Sequence, residues 1–174
     1  MTSRPAPQGQ QLCLACGLCC TGVWFSHVNL EAREEREARA AGLNVSTVDG
    51  EMRSDQPCPL HRHGRCTGYE RWRPAACDDF ECKLLSDHLA GRLTLEQALG
   101  HVTAARAMAE RIQAELGPVE GGLLGKRFLM RIDDSSSDSK PAALAASPAT
   151  RLDAVALNRY YEKYFRRPTA NSSR

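Results

Sequence analysis

The sequence predicts a mainly α-helical fold with irregular loops, in which a small cysteine-rich domain is followed by a C-terminal helix. All eight cysteines lie within residues 13–82, and over residues 43–76 Gly, Pro, Asp and Ser recur at short intervals that favour loops. Residues 95–116 carry apolar side chains at helical spacing, and a second helical pattern covers about residues 152–166. Aromatic residues make up only 6% of the chain, so we expect bound metal to help organise the cysteine-rich part.

The length of 174 residues allows one domain of ordinary size with tails. Residues 1–11 are rich in Pro and Gln and are expected to be disordered. Residues 12–132 are expected to form the cysteine-rich domain, with a helical second half. Low-complexity sequence marks residues 133–148 as a linker, and residues 149–174 are expected to form a C-terminal helix and tail.

The first predicted helix covers about Leu30 to Ala41, where Asn29 can cap the N-terminus and Gly42 can end the helix. The cysteines that precede this helix are expected to lie on a loop. Residues 43–76 show no sustained periodicity, which predicts irregular loops with room for short strands around the metal ligands.

Two further helices are predicted between residues 78 and 117. The first begins at residue 78 or 79 and carries Cys82 on its first turn. The second begins at a capping box formed by Thr94 and Gln97 and presents one apolar face. That face consists of Leu95, Leu99, Val102, Ala105, Ala109, Ile112 and Leu116. Residues 121–131 favour no particular element.

The cysteines are the main functional signal. No apolar run at the N-terminus suits a secretory signal, and no stretch of ~18 apolar residues offers a membrane span, so we expect a cytoplasmic protein. Thiols stay reduced in that compartment, where closely spaced cysteines are more often metal ligands than disulfides. The alternative, cysteines that pack as small apolar residues, does not account for such tight clustering. The candidate metal ligands are Cys13, Cys16, Cys19, Cys20, Cys58, Cys66, Cys77 and Cys82.

The spacing Cys13-x-x-Cys16-x-x-Cys19 matches the first three ligands of bacterial ferredoxin clusters, whose fourth ligand is a cysteine followed by proline. Cys58-Pro59 supplies such a pair. This pattern favours an iron–sulfur cluster, for example of the 4Fe–4S type. Because thiolates bind Zn²⁺ just as readily, zinc stays an alternative.

The number of metal centres is a second open alternative. Cys19 and Cys20 are adjacent, so their side chains tend to leave the backbone in different directions and to serve different sites. One hypothesis is a single centre, with the remaining cysteines in packing or redox roles. The other is two centres, divided as Cys13, Cys16, Cys19 and Cys58 in one and Cys20, Cys66, Cys77 and Cys82 in the other.

Histidines and basic residues are further candidates. His61 and His63 can replace a thiolate, since imidazole binds zinc and some iron clusters. The other histidines, expected on the surface or on a helix face, are His27, His88 and His101. Cations would stabilise a negatively charged four-thiolate centre, and Arg73 is the foremost because Pro74 fixes the chain beside it. The remaining basic candidates are Arg62, Arg65, Arg71 and Lys83.

The cysteine pattern as a whole resembles a known family. Its parts are Cys13-x-x-Cys16-Gly17-x-Cys19-Cys20, Cys58-Pro59-Leu60, Gly64-x-Cys66-x-x-Tyr69-Glu70 and Arg73-Pro74-x-x-Cys77-x-x-Phe80-x-Cys82. This pattern resembles the YkgJ family of cysteine cluster proteins, the zinc- or iron-chelating CxxCxxCC domains, over about residues 13–85. The resemblance implies metal binding by the cysteines.

The chain departs from the family pattern at two positions. Arg73 stands four residues after Tyr69, where three is usual, and Asp78 follows Cys77 where a basic residue is common. Some relatives of this domain occur in flagellin lysine methylases, which look like iron–sulfur proteins, although this chain is much shorter.

The leading hypothesis is a cytoplasmic metal-binding protein with an iron–sulfur cluster or bound zinc or iron, in redox chemistry, metal handling or as an accessory to protein modification. One alternative is a cluster-dependent methyltransferase-like or redox enzyme. No catalytic residue is assigned, because the sequence lacks a nucleotide-binding Gly-rich loop, a nucleophile elbow and a paired-His protease motif.

A third alternative is a zinc-structured interaction module. Aromatic and basic residues alternate near the C-terminus, a pattern that suits contact with a protein partner but more often packs on its own domain. The residues are Arg159, Tyr160, Tyr161, Lys163, Tyr164, Phe165, Arg166 and Arg167. The net charge of +2 argues against nucleic acid as the partner, and no membrane is expected.

Overall fold

The protein is mainly α-helical, as predicted, in a computed structural model that describes residues 9–117, 122–133 and 146–167. The helices in these ranges are α1 (Gln10–Cys16), α2 (Glu35–Ala40), α3 (Ala75–Asp79), α4 (Lys83–Leu89), α5 (Leu95–Leu116), α6 (Leu124–Asp133) and α7 (Pro148–Tyr160). The strands are β1 (His27–Asn29), β2 (Val45–Val48), β3 (Glu51–Asp55), β4 (His61–Arg62) and β5 (Arg65–Cys66). Within the same ranges, no helix combines the length and apolar character needed to cross a membrane.

Helix α5 confirms its prediction closely. The Thr94 hydroxyl accepts a hydrogen bond from the Gln97 backbone N–H at 3.1 Å, and the Gln97 side-chain oxygen accepts one from the Thr94 N–H at 2.9 Å. This reciprocal capping satisfies two N–H groups that a helix start leaves unpaired. The buried face of the helix is Ala98, Val102, Ala105, Ala109 and Ile112, with Leu95 and Leu99 partly buried.

Helices α5, α6 and α7 pack together and provide most of the larger apolar core of the described residues, which we call the helical core. Gly125 of α6 lies so close to α7 that a Cβ atom there would stand 2.5 Å from the Ala154 carbonyl oxygen. Phe128, Leu157 and Phe165 are buried in this core. The C-terminal helix therefore packs on its own domain, as amphipathic helices commonly do.

A smaller apolar core lies beside the strands. Strands β1, β3 and β2 form an antiparallel sheet in that order, and β4 pairs with β5 in a separate antiparallel ladder. Four buried residues, Leu30, Ala38, Leu43 and Leu60, form what we call the sheet core. The two cores lie on either side of the cysteines, which places the candidate site between them.

Two predictions about the N-terminal part of the chain are wrong. Residues 10 and 11 belong to α1, although they were expected to be disordered, and Cys13 and Cys16 lie on this helix and not on a loop. Leu12 explains the helix, because it is 2% exposed and packs into the helical core. Residues 1–8 lie outside the described ranges.

The helix predicted over Leu30 to Ala41 is shorter than expected. A 3₁₀ turn, Ala32–Glu34, leads into α2, and Glu31 forms the cap in place of Asn29. Residues 43–66 contain four short strands, in the region where the sequence allowed short strands among loops.

The single helix predicted from residue 78 toward Gly91 is two helices, α3 and α4. Phe80 between them is extended, with φ −76° and ψ 121°. Cys82 is therefore the N-cap residue of α4 and does not lie within its first turn.

The predicted linker is only partly covered. Residues 134–145 lie outside the described ranges, but Ser147 caps α7 and Pro148 begins it, so the helix starts before residue 149. Helix α6 occupies most of the region for which the sequence favoured no element. After α7, Tyr161–Phe165 continue as a π-helical turn.

Candidate metal centre

All eight cysteines line one cavity of about 410 Å³. They come from α1 and the loop after it, the segment around the β4–β5 ladder, α3, and the N-cap of α4. Seven are partly buried, Cys77 is exposed, and none forms a disulfide. The structure thus brings every predicted cysteine ligand to a common space.

Helix α1 and its C-cap present the first cysteines. The Gly17 N–H donates to the Cys13 carbonyl at 3.3 Å, and Gly17 has the left-handed φ of +64° that ends the helix. The chain then turns back, because the N–H groups of Cys20 and Thr21 both donate to the Gly17 carbonyl at 2.9 Å. This tight reversal aims four thiols at the cavity within one short segment.

The His61 imidazole packs against the backbone of this reversal. A Cβ atom at Gly17 would stand 2.5 Å from His61 Nε2. That nitrogen is buried without a hydrogen-bond partner among the described residues. The pKa of His61 is lowered, and burial is the largest cause of this shift. His61 also lines the cavity, so it stays a candidate ligand or hydrogen-bond donor for a bound metal centre.

Replacing Gly17 with Ala is expected to destabilise the protein more than replacing Gly42 with Ala. Both positions have left-handed φ angles, of +64° and +86°, so each alanine costs roughly 1–2 kcal/mol in backbone strain. Only at position 17 does the new methyl also meet the His61 ring, which adds about 1 kcal/mol or more of overpacking. Urea unfolding of the two metal-free variants measures the difference, and equal losses would contradict this view of Gly17.

The segment around β4 and β5 presents Cys58 and Cys66. The Cys58 N–H donates to the Cys20 carbonyl at 2.8 Å, which fixes Cys58 beside the end of the first cysteine run. In the β4–β5 ladder, Cys66 lies opposite His61. These backbone contacts bring Cys20, Cys58 and Cys66 into one neighbourhood.

Helix α3 carries Cys77, and a buried carboxylate holds the start of this helix. Glu34, which is 8% exposed, accepts a hydrogen bond from the Ala75 N–H at 2.8 Å. Cys82 caps α4, since its sulfur accepts from the Leu85 N–H at 3.4 Å. The two cysteines lie on different helices and face different parts of the site.

Mutual charge effects show which thiols are neighbours, because a nearby thiolate raises the pKa of a thiol. Burial is the main reason that the pKa of Cys16 rises to about 12, and among the thiols Cys82 and Cys13 raise it further. Burial is also the largest cause that raises the pKa of Cys19, and the thiols that raise it further are, in order, Cys16, Cys82, Cys20 and Cys13. We call these four residues, Cys13, Cys16, Cys19 and Cys82, the first set.

The pKa values of Cys20 and Cys77 show that the other four cysteines are also neighbours. Burial raises the pKa of Cys20, and Cys58, Cys66 and Cys77 raise it further, followed by Cys16 of the first set. Burial, Cys58 and Cys66 likewise raise the pKa of Cys77. We call Cys20, Cys58, Cys66 and Cys77 the second set, and the adjacency of Cys19 and Cys20 in the chain joins the two sets.

The apolar packing of six cysteines follows the same division. All four members of the first set pack against the helical core, which contains Trp24. Cys58 and Cys66 of the second set pack against the sheet core together with Trp72. The packing therefore agrees with the division for six of the eight cysteines, whereas Cys20 and Cys77 pack against neither core.

This grouping differs from the two-centre division drawn from the sequence. Cys82 belongs with the CxxCxxC segment and Cys58 with Cys20, so these two positions exchange places. Proline after Cys58 suggested a ferredoxin-like fourth ligand, but the backbone bond from Cys58 to Cys20 places it in the second set. In the part of the chain that the structure describes, no three Cys, His, Asp or Glu side chains converge closely enough to hold a metal ion as they stand.

Of the five predicted basic residues, Arg73 lines the cavity. Three of the others make contacts elsewhere: Arg62 with the Pro59 carbonyl at 3.0 Å, Arg65 with Glu70 at 2.8 Å, and Lys83 with Asp87 at 2.6 Å. The sequence analysis did not identify Arg106, whose guanidinium donates to the Ala15 carbonyl at 3.2 Å and lowers the pKa of Cys16 against the larger effect of burial. No local pattern could have shown a contact that spans 91 positions.

The remaining histidines have separate environments. His27 lies on β1, is partly buried, hydrogen-bonds Ser26 at 2.8 Å and also lines the cavity. His88 contacts the Leu93 carbonyl at 3.1 Å, and His101 stacks on Tyr164 at 4.0 Å between ring centroids. His63 has a φ of +50° in the β4–β5 turn.

Comparison with protein families matches residues 12–98 to the family described as "CxxCxxCC: Putative zinc- or iron-chelating domain". The matched range is half of the chain and contains all eight cysteines. No curated protein and no solved structure matches significantly.

Proposed function

Because the chain belongs to the CxxCxxCC family of zinc- or iron-chelating domains, we propose that it holds two metal centres through its two cysteine sets and serves redox chemistry or metal handling. The observation that carries this proposal is the gathering of all eight thiols around one cavity. Four thiolates complete a tetrahedral zinc site or bind one iron–sulfur cluster, so each set has the ligand number for one centre.

The chemistry of the thiols fits this use. Both sets lie between apolar cores, and no disulfide competes for the sulfur atoms. Bound zinc would supply a structural or stored metal, whereas an iron–sulfur cluster would supply one-electron transfer.

We favour iron–sulfur clusters over zinc because Cys13, Cys16 and Cys19 have the ferredoxin spacing, and backbone amides next to two of the sulfur atoms fit such a cluster. The Leu85 N–H donates to Cys82, and the Leu18 N–H lies within hydrogen-bonding reach of Cys16. Hydrogen bonds from amides to sulfur, together with low solvent exposure, stabilise a negatively charged cluster and set its potential. The chain itself contributes binding, amide donors and exclusion of water.

Anaerobic purification with elemental analysis tests the proposal. We expect two metal centres per chain, detected as iron with acid-labile sulfide and broad visible absorbance, or as two equivalents of zinc. Purified protein that holds no metal, and takes up neither iron with sulfide nor zinc under reducing conditions, would overturn the proposal.

Paired substitutions test the two-set division. Cys16→Ser with Cys82→Ser is expected to remove the first centre and leave the second, and Cys20→Ser with Cys58→Ser to do the reverse. Each pair should halve the metal content. Trp24 lies in the helical core on which the first set packs, and Trp72 packs on the sheet core with Cys58 and Cys66. In Trp24→Phe and Trp72→Phe variants, the fluorescence of the remaining indole therefore reports on one core at a time. Complete loss of metal from both pairs would indicate a single centre.

A further inference from the structure

Arg73 occupies a constrained position between the two cysteine sets. Its guanidinium carbon lies 3.7 Å from the centroid of the Tyr69 ring, and its side chain is 19% exposed. The guanidinium also pairs with the Asp78 carboxylate, one residue after Cys77. Stacking and pairing hold the charge in place, because one face of the planar guanidinium lies on the Tyr69 ring and its N–H groups bind the Asp78 carboxylate.

Tyr69 connects Arg73 to the first set. The Tyr69 hydroxyl lies within hydrogen-bonding reach of both the Cys13 thiol and the Arg73 guanidinium. Both Tyr69 and Arg73 line the cavity. A hydroxyl in this position can accept from the guanidinium and donate to the Cys13 sulfur, which polarises the O–H toward that sulfur.

Arg73 also lies close to the second set. The Arg73 Cβ and the Cys66 sulfur approach the same side of Gly68, at 3.2 Å and 3.4 Å from the position of a Cβ there. Burial raises the pKa of Cys13 and of Cys77, and the positive charge of Arg73 opposes this rise at both residues, while the Asp78 carboxylate adds to the rise at Cys77. One cation is therefore near a member of each set.

We propose that Arg73 is a counter-charge shared by the two metal centres, acting directly on Cys77 of the second set and, with Tyr69 between them, on Cys13 of the first set. This inference rests on the proposed function. Two neighbouring four-thiolate centres repel each other, and a fixed cation between them lowers that repulsion in a site of low dielectric. Arg73 and Tyr69 are positioning residues here, since neither is a metal ligand.

Zn²⁺ affinity, measured one set at a time, tests this inference. The Cys20→Ser, Cys58→Ser background leaves the first set, and the Cys16→Ser, Cys82→Ser background leaves the second. Competition with a chromophoric chelator then measures Zn²⁺ binding in each background at constant pH. We expect Arg73→Gln to weaken binding by about 10-fold or more in both backgrounds, in the range typical of groups that support metal ligands.

Four further variants separate charge from structure. Tyr69→Phe and Arg106→Gln should weaken the first set alone, since Tyr69 reaches Cys13 and Arg106 acts on Cys16. Arg39→Gln removes an exposed ion pair with Glu35 on α2 and should change neither set. Arg73→Lys should keep most of the affinity of both sets because the charge stays.

The outcomes distinguish this inference from the proposed function. Suppose that the wild type has two intact Zn²⁺ sites. The shared counter-charge alone would then be overturned if Arg73→Gln had the same Zn²⁺ affinities as Arg39→Gln, or if it lost affinity in one set only. A wild type that binds no Zn²⁺ would overturn both proposals. If Arg73→Gln does not fold, as circular dichroism of the metal-free variants would show, Arg73→Lys decides. A loss of about 10-fold or more in both sets on Arg73→Lys, the size expected for a neutral residue, would contradict a role of charge.

Discussion

Removing metal from the purified protein is expected to loosen the sheet core far more than the helical core. The sheet core has four buried residues, whereas the helical core has seventeen among the described residues. The strands beside the sheet core are two to five residues long and supply little cooperative stability of their own. Structural zinc contributes roughly 10–16 kcal/mol of binding free energy in small peptides at pH 7. We expect the loss of this free energy to be larger than the stability that four buried apolar residues supply.

Amide hydrogen exchange measures the effect. After chelation in the presence of a reductant, strands β1 to β5 should lose most of their protection, and the central turns of α5 should keep theirs. Helices α1 and α4 should respond to an intermediate degree, because Leu12 and Leu84 anchor them in the helical core. Restoration of protection on adding Zn²⁺ back is the control, and strands that stay protected without metal would contradict the prediction.

The part of the fold that could be predicted from sequence is the part whose stability is local. Helix α5 has a capping box, a continuous apolar face and a glycine stop within 24 residues, and each signal needs only near neighbours in the chain. The same holds for the cysteines as ligands, since their number and spacing already indicate thiolate chemistry. The family match over residues 12–98 confirms the resemblance that the cysteine pattern carries.

The features that sequence analysis missed depend on distant contacts. Helix α1 forms because Leu12 enters a core built mainly by residues after position 84, and nothing near Leu12 shows this. The exchange of Cys58 and Cys82 between the two sets has the same origin. Cys58 is held by a backbone bond to Cys20, and Cys82 by α4, which packs on α5.

The metal-free protein is expected to lose stability as pH rises above about 9, whereas the metal-loaded protein is not. Burial is the largest cause that raises the pKa of Cys13, Cys16, Cys19, Cys20, Cys58, Cys77 and Cys82 above the ordinary value of 9.0. Thiols of the unfolded chain therefore lose their protons first, while the folded chain still holds them. The stabilising effect of the neutral buried thiols is fully present below pH 9 and is lost as pH rises toward the folded pKa, which for Cys16 is about 12.

The size of the effect follows from the number of protons that differ between the two states. Each thiol that is ionised only in the unfolded chain lowers the free energy of unfolding by roughly 1.4 kcal/mol per pH unit. Cys16 and Cys19 are the most deeply buried of the thiols and should contribute most. Cys77 is exposed, so water screens its charge and reduces its contribution.

Urea unfolding between pH 8 and pH 10, with reductant and chelator present, checks this expectation before most tyrosines ionise. The control is the metal-free Cys16→Ser, Cys82→Ser variant, whose slope against pH should be shallower because two titrating groups are absent. Metal-loaded protein should show little slope, since thiolates bound to metal have no proton left to lose. If the free energy of unfolding of the metal-free protein stays constant across this range, the prediction is contradicted. Water would then reach the thiols in the folded state, and the cavity would be open to solvent before a metal binds.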